Sequence, residues 1–108
     1  MALRPVEFHV LLALAGDERH GYALLQEVES QTGGEMQLEP GTLYRALHRM
    51  LKDGWVAESA RRPAADQDDE RRRYYRLTPA GRRVASAEAE RLSRLVTLAR
   101  AHRLLSRA

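Results

Sequence analysis

No cysteine occurs among the 108 residues, which removes disulfides, thiolate nucleophiles and finger-type zinc sites together. Small secreted proteins without such staples are uncommon, so the expected setting is reducing and cytoplasmic. Long apolar runs are missing too. The longest, Val10 to Ala15, stops at Gly16 and has Glu7 and His9 just ahead of it. It falls short of the roughly 7–15 apolar residues of a secretory leader and far short of a membrane span, which leaves an amphipathic or buried first helix and predicts no membrane partner. The four histidines, His9, His20, His48 and His102, are dispersed, and there is no His-x-x-x-His pair, no Gly-x-Ser-x-Gly turn and no phosphate-cradling glycine loop. These absences argue against an enzyme, a metal site or a cofactor. Lysine is nearly absent as well: Lys52 is the single exception in an otherwise Arg-only basic set.

What remains is a chain that is 44 % hydrophobic and 31 % charged, too apolar for disorder and long enough for one modest core. Its charge is unevenly placed. Residues 1–40 carry two basic against seven acidic side chains, residues 41–77 nine against six, and residues 78–108 seven against two. A surface for a polyanion therefore lies beyond residue 40. Arginine suits bidentate phosphate and guanine contacts, although a GC-rich genome enriches arginine equally well.

The hydrophobic spacing predicts three helices of about 11–14 residues joined by glycine-bearing turns. The first begins near Pro5 and buries Val6, Val10, Leu11 and Leu14. The second follows His20-Gly21, turns Tyr22, Leu25, Val28 and Glu29 to one side with Leu24 beside them, and stops at Thr32-Gly33-Gly34. Met36-Gln37-Leu38 alternates and is read as a small strand. The third helix opens at Pro40-Gly41, turns Leu43, Leu47, Met50 and Leu51 inward, and closes at Asp53-Gly54. The period then changes from 3.6 to 2. Trp55–Glu58 and Arg71–Leu77 are expected as strands, with Arg73, Tyr75 and Leu77 sharing a face, around a tip of loop composition that is acidic at Asp66, Asp68, Asp69 and Glu70. Thr78-Pro79 supplies an N-cap and a first-turn proline, and the last helix is expected to run unbroken to the chain end. The fold class is mainly α with a small β-wing: a winged helix-turn-helix over residues 1–78 and a long C-terminal dimerisation helix over 79–108.

Four blocks, His20-Gly21-Tyr22, Gly41-Thr42-Leu43-Tyr44, Asp53-Gly54 and Tyr74-Tyr75-Arg76-Leu77-Thr78-Pro79-Ala80-Gly81, resemble in order and spacing the signature of PadR-type transcriptional regulators. The resemblance spans roughly residues 6–84 and is similar to the small subgroup with a short C-terminal helix. It implies a homodimeric repressor that binds double-stranded DNA at a near-palindromic operator. In that reading Gly41, Thr42, Tyr44, Arg45, His48, Arg49 and Lys52 of the third helix face DNA, with Arg71 and Arg72 of the wing reaching adjacent backbone or minor groove. Tyr44 has two open roles, donation to a phosphate or packing on the second helix. Glu39 departs from the small hydroxyl residue common at this cap, and is expected to cap the helix in its place. Trp55 is read as a core anchor, and His20 as satisfying backbone groups at its helix start.

Leu92, Leu95, Val96, Leu98, Ala99 and Leu105 cannot be buried on so small a core and form the expected dimer interface. Some PadR relatives bind flat aromatic ligands near this interface, which leaves room for a small-molecule effector, but the last helix holds no Trp, Tyr or Phe to wall a ring-stacking pocket. The competing class is a winged-helix adaptor that binds protein rather than an operator; the acidic wing tip and Glu39 favour it.

Overall fold

The computed structural model describes residues 3–60 and 73–106. In chain order the elements are α1 (Pro5–Gly16), β1 (Arg19–His20), α2 (Gly21–Gln31), α3 (Pro40–Lys52), β2 (Val56–Glu58), β3 (Tyr74–Leu77) and α4 (Pro79–Ala101). Helices α1 to α3 surround one apolar centre built from Val10, Leu11 and Leu14, Leu24 and Val28, and Leu43, Leu47 and Met50. Each set recurs at three- or four-residue spacing, so one face of each helix is consumed by the core and the other is left to water. Val56 and Tyr75 close the centre from the sheet side, and Trp55 packs against it as an anchor.

The sheet is antiparallel in the order β1-β3-β2, with Arg19 opposite Tyr75 and Val56 opposite Leu77. Strand β1 is absent from the sequence reading. Two residues carry no alternation of their own, and the pairing exists only because the α1–α2 loop is laid along β3. The strand expected at Met36–Leu38 does not form. The Met36 N–H is taken by the Thr32 hydroxyl at 2.9 Å, and Met36 and Leu38 pack singly against the core. Arg73 precedes β3 and is exposed.

Local chemistry fixes where the helices begin and end. His20 caps α2, its Nδ1 accepting the Ala23 N–H at 3.1 Å, as expected for that residue. The cap also sets the phase of the helix. Gly21, Leu24 and Val28 turn inward, and Tyr22, expected on the inner side, is 59 % exposed. Past α2 the chain turns through Gly33 and Gly34 at positive φ.

Helix α4 is rooted by Thr78. Its hydroxyl accepts the Gly81 N–H at 3.0 Å and donates to the Gly54 carbonyl at 2.6 Å, while its own N–H donates to the Trp55 carbonyl at 3.1 Å. Gly81 is buried against that same carbonyl: a Cβ there would overlap the Trp55 oxygen and stand 2.8 Å from its carbon. The Asp53-Gly54 and Thr78–Gly81 blocks are thus two halves of one joint. Beyond it α4 leaves the core and stretches the molecule to 55 × 28 × 21 Å. The helix does not reach the chain end. It stops at Ala101, where Leu104 N–H returns to the Ala99 carbonyl at 2.8 Å around Arg103 at φ 60°. No helix among the described residues is long and apolar enough to cross a membrane.

Candidate nucleic-acid interface

Helix α3 buries Leu43, Ala46, Leu47 and Met50, which turns Gly41, Arg45, His48 and Lys52 outward as one exposed stripe at four-, three- and four-residue spacing. Thr42 and Arg49 flank it, half-buried. The stripe is about 16 Å long, the scale at which a helix lies along a major groove. At its N-terminal end Arg45 folds back toward the first turn, its Nη2 donating to the Thr42 hydroxyl at 3.3 Å and its Nη1 close over Gly41. The first-turn N–H groups have no intrahelical partner, so a cation and free donors sit together where an anion would approach. Glu39 does not cap this helix: it occupies the N-cap position, exposed, without a side-chain cap hydrogen bond. Pro40 at N1 starts the helix instead, with its φ already set.

Tyr44 lies on the inner flank. Its ring is packed on Gly21, where a Cβ would overlap the hydroxyl and stand 2.9 Å from Cζ, and the hydroxyl oxygen is buried. Of its two open roles, packing on α2 is the arrangement seen. The contact also gives a reason for glycine in the His20-Gly21-Tyr22 block. Arg49 is less exposed than an outward side chain: its Nε is buried and lies 3.6 Å from Oε2 of Glu7 on α1. Nothing local to Glu7, a carboxylate just ahead of the apolar run Val10–Ala15, connects it with α3. Arg71 and Arg72, with the rest of the wing tip, lie outside the described residues. At the wing's base Arg73 and Arg76 are exposed.

On α4, Leu95 and Leu98 are 48 % and 55 % exposed in the single chain, and Leu92 and Ala99 are half-buried; Leu105, expected on the same helix, lies past its end and is 44 % exposed. Ala85, Ala89, Leu92, Val96 and Ala99 follow one another at alternating four- and three-residue spacing, the seam of two helices packed side by side. The upper end of this seam opens into an apolar groove of about 140 Å³ between α1 and α4, lined in part by Phe8, Leu12 and Ala89. In line with Leu95 and Leu98 along the helix, Arg91 donates two hydrogen bonds to Glu88, at 2.8 and 2.7 Å. These bonds hold the Glu88 carboxyl below the usual carboxylate range and push Arg91 upward. Their stabilisation is present above the ordinary carboxylate pKa and is lost as pH falls through the lowered one. The Arg91 end of the pair is half exposed to water, so its weight is small.

The pattern that defines the Transcriptional regulator PadR-like family matches residues 10–87. The chain belongs to this family. It is therefore a transcriptional regulator and not an enzyme. Among proteins of known sequence, this PadR-like chain is 39 % identical over 90 residues to Transcriptional regulator Rv3488 of Mycobacterium tuberculosis, covering 83 % of this chain and 78 % of that one. Among solved structures it is similar to a PadR family transcription regulator from Clostridium difficile, with a TM-score of 0.72 at 20 % identity, covering 90 % of this chain and 96 % of that one. It also resembles Bacillus subtilis PadR in complex with operator DNA, with a TM-score of 0.67 at 16 % identity over 82 % of this chain and 48 % of that one. At these identities the structural likeness speaks for the fold, which is the winged helix of PadR regulators.

Proposed function

We propose that this PadR-like regulator is a cytoplasmic homodimeric repressor that binds a near-palindromic operator, with α3 entering the major groove. The observation that carries the reading is the exposed Gly41–Arg45–His48–Lys52 stripe on a helix whose other face is fully committed to the core. Arg45 reads a base edge or clamps a phosphate, His48 sits beside it, and Lys52 meets backbone at the groove's edge. Arg49 contributes from the flank, Tyr44 holds the helix on α2, and Arg71 and Arg72 extend the contact along the wing. The apolar surface of α4 at Leu92, Leu95, Val96, Leu98 and Ala99, with Leu105 just past the helix end, pairs with the same surface of a second copy. A two-fold axis there places the two α3 helices about one DNA turn, roughly 34–36 Å, apart.

The test is titration of fluorescent duplex from the gene's own upstream region, with random duplex as competitor, at several salt concentrations. Selective binding with a steep negative salt slope is expected. Equal, salt-insensitive association with both duplexes is the adaptor's signature and refutes the proposal; the exposed carboxylate of Glu39 beside the first turn of α3 is what favours that second reading. Arg45→Ala is expected to weaken operator binding by about 1–3 kcal/mol and relax selectivity at one position. Lys52→Ala is expected to weaken all duplexes alike and flatten the salt slope by about one. A Lys52→Ala slope equal to that of the unaltered protein removes that residue from the phosphate contacts.

A further inference from the structure

Two polar residues are buried among those described, Ser59 and Glu7. Ser59 donates to Glu18 and ties the base of the wing to the α1–α2 loop. Glu7 joins the start of α1 to the flank of α3. Its Oε1 accepts the Arg4 backbone N–H at 3.0 Å, and its Oε2 lies 3.6 Å from Arg49 Nε, the carboxylate side chain being 8 % exposed and that of Arg49 40 %. A carboxylate so far removed from water is strongly unfavourable without a cation, and Arg49 is the cation the structure supplies.

The pairing is one-sided. Nε is the buried atom of the guanidinium, so the exposed area belongs to the rest of the side chain, and the Nη nitrogens are left as the donors able to meet a phosphate or a guanine. An arginine on an open helix surface must freeze several rotamers when it makes a bidentate contact; Arg49 Nε makes no hydrogen bond among the described residues but is buried 3.6 Å from the Glu7 carboxylate, and a side chain so confined has already lost part of that freedom. The nearby carboxylate also offsets the arginine's charge, so Arg49 adds little to sequence-independent attraction while keeping its directional donors.

We propose that Glu7 is a positioning residue for operator selection: its charge confines the buried Nε side of Arg49 and presents the Nη groups in the geometry used on DNA. The inference rests on the operator-binding reading above. It separates itself from a merely structural role, because removing the negative charge moves two affinities in opposite directions. Random duplex is bound more tightly, as each protomer gains positive charge. Operator is bound less tightly, as Arg49 must be ordered on contact.

Glu7→Gln keeps the size of the side chain and an acceptor for the Arg4 N–H. The ratio of operator to random-duplex affinity is expected to fall about three- to tenfold in this variant, the effect of ordering one long side chain. In an Arg49→Ala background the same change is expected to leave the ratio where Arg49→Ala put it. An unchanged ratio in Glu7→Gln, or an equal fall with Arg49 absent, overturns the proposal and leaves operator binding intact. Unaltered protein that does not discriminate the duplexes overturns the operator reading and Glu7's part in it together. Nitrogen-15 relaxation at the arginine Nε positions of the unaltered protein needs no variant: Arg49 Nε is expected to be rigid beside a mobile Arg45 Nε, and equal mobility of the two overturns the proposal.

Discussion

Replacing Leu95 and Leu98 together with glutamate is expected to convert the protein to a folded monomer that no longer selects its operator. Both side chains are about half exposed in the single chain and neither belongs to the core centred on Leu11, Leu24 and Leu47, so the protomer loses little by the change. The pair of protomers loses a great deal. Four leucines leave the interface, each already about half buried in the protomer and so worth about 0.75–1.5 kcal/mol on pairing, which totals about 3–6 kcal/mol or a factor of roughly 10²–10⁴ in the dissociation constant. Four carboxylates would also have to be desolvated in the interface. Sedimentation at micromolar concentration reads the result directly, with circular dichroism to confirm retained helix. A double mutant that still sediments as a dimer places the interface away from the side of α4 that carries Leu95 and Leu98.

Gly81→Ala is expected to be the most damaging single methyl in the chain. Two effects oppose each other. Alanine is the better helix former, worth about 1 kcal/mol. Against it, the new Cβ would overlap the Trp55 carbonyl oxygen and press on Leu77 Cδ1 at 2.9 Å. The obstacle on one side is backbone, and that backbone carbonyl is itself the acceptor for Thr78 N–H, so it cannot retreat without breaking the joint. Overpacking, at about 3 kcal/mol, wins by about 2 kcal/mol, which lowers Tm by roughly 8–16 °C in a domain of this size. Thermal melts should be compared at one protein concentration, because a dimer's Tm depends on it. A Tm at or above that of the unaltered protein would show that α4 can be seated without this contact.

Much of this architecture was legible because the signals were local. Pro5, the Gly33-Gly34 pair and Thr78 mark boundaries by their own backbone chemistry, and Leu43, Leu47 and Met50 announce an inward face by spacing alone. The misreadings share a physical origin in contacts distant along the chain. Strand β1 exists by pairing with β3, Tyr22 is rotated outward by the His20 cap together with the fit of Gly21 under Tyr44, and Met36–Leu38 finds no sheet edge. The last helix was read as continuous because alanine, leucine and arginine favour helix to the end, and the turn through Arg103 has no glycine to announce it. The exposed side of α3 was legible on the same terms as its core side. Glu7 was not, since a carboxylate ahead of an apolar run reads as solvated until α3 is folded against α1.

The joint at Thr78, Gly81 and Trp55 has a mechanical consequence. Helix α4, 23 residues long, is a lever arm of about 35 Å fixed at one end beside the loop that leaves α3. An angular change of only about 5° at that pivot sweeps the far end through about 3 Å, close to the rise of one base pair per strand. The pivot's stiffness comes from a backbone carbonyl pressed against a residue with no side chain, and α1 braces the arm as far as Ala89, so small strains are magnified most where the lever is shortest.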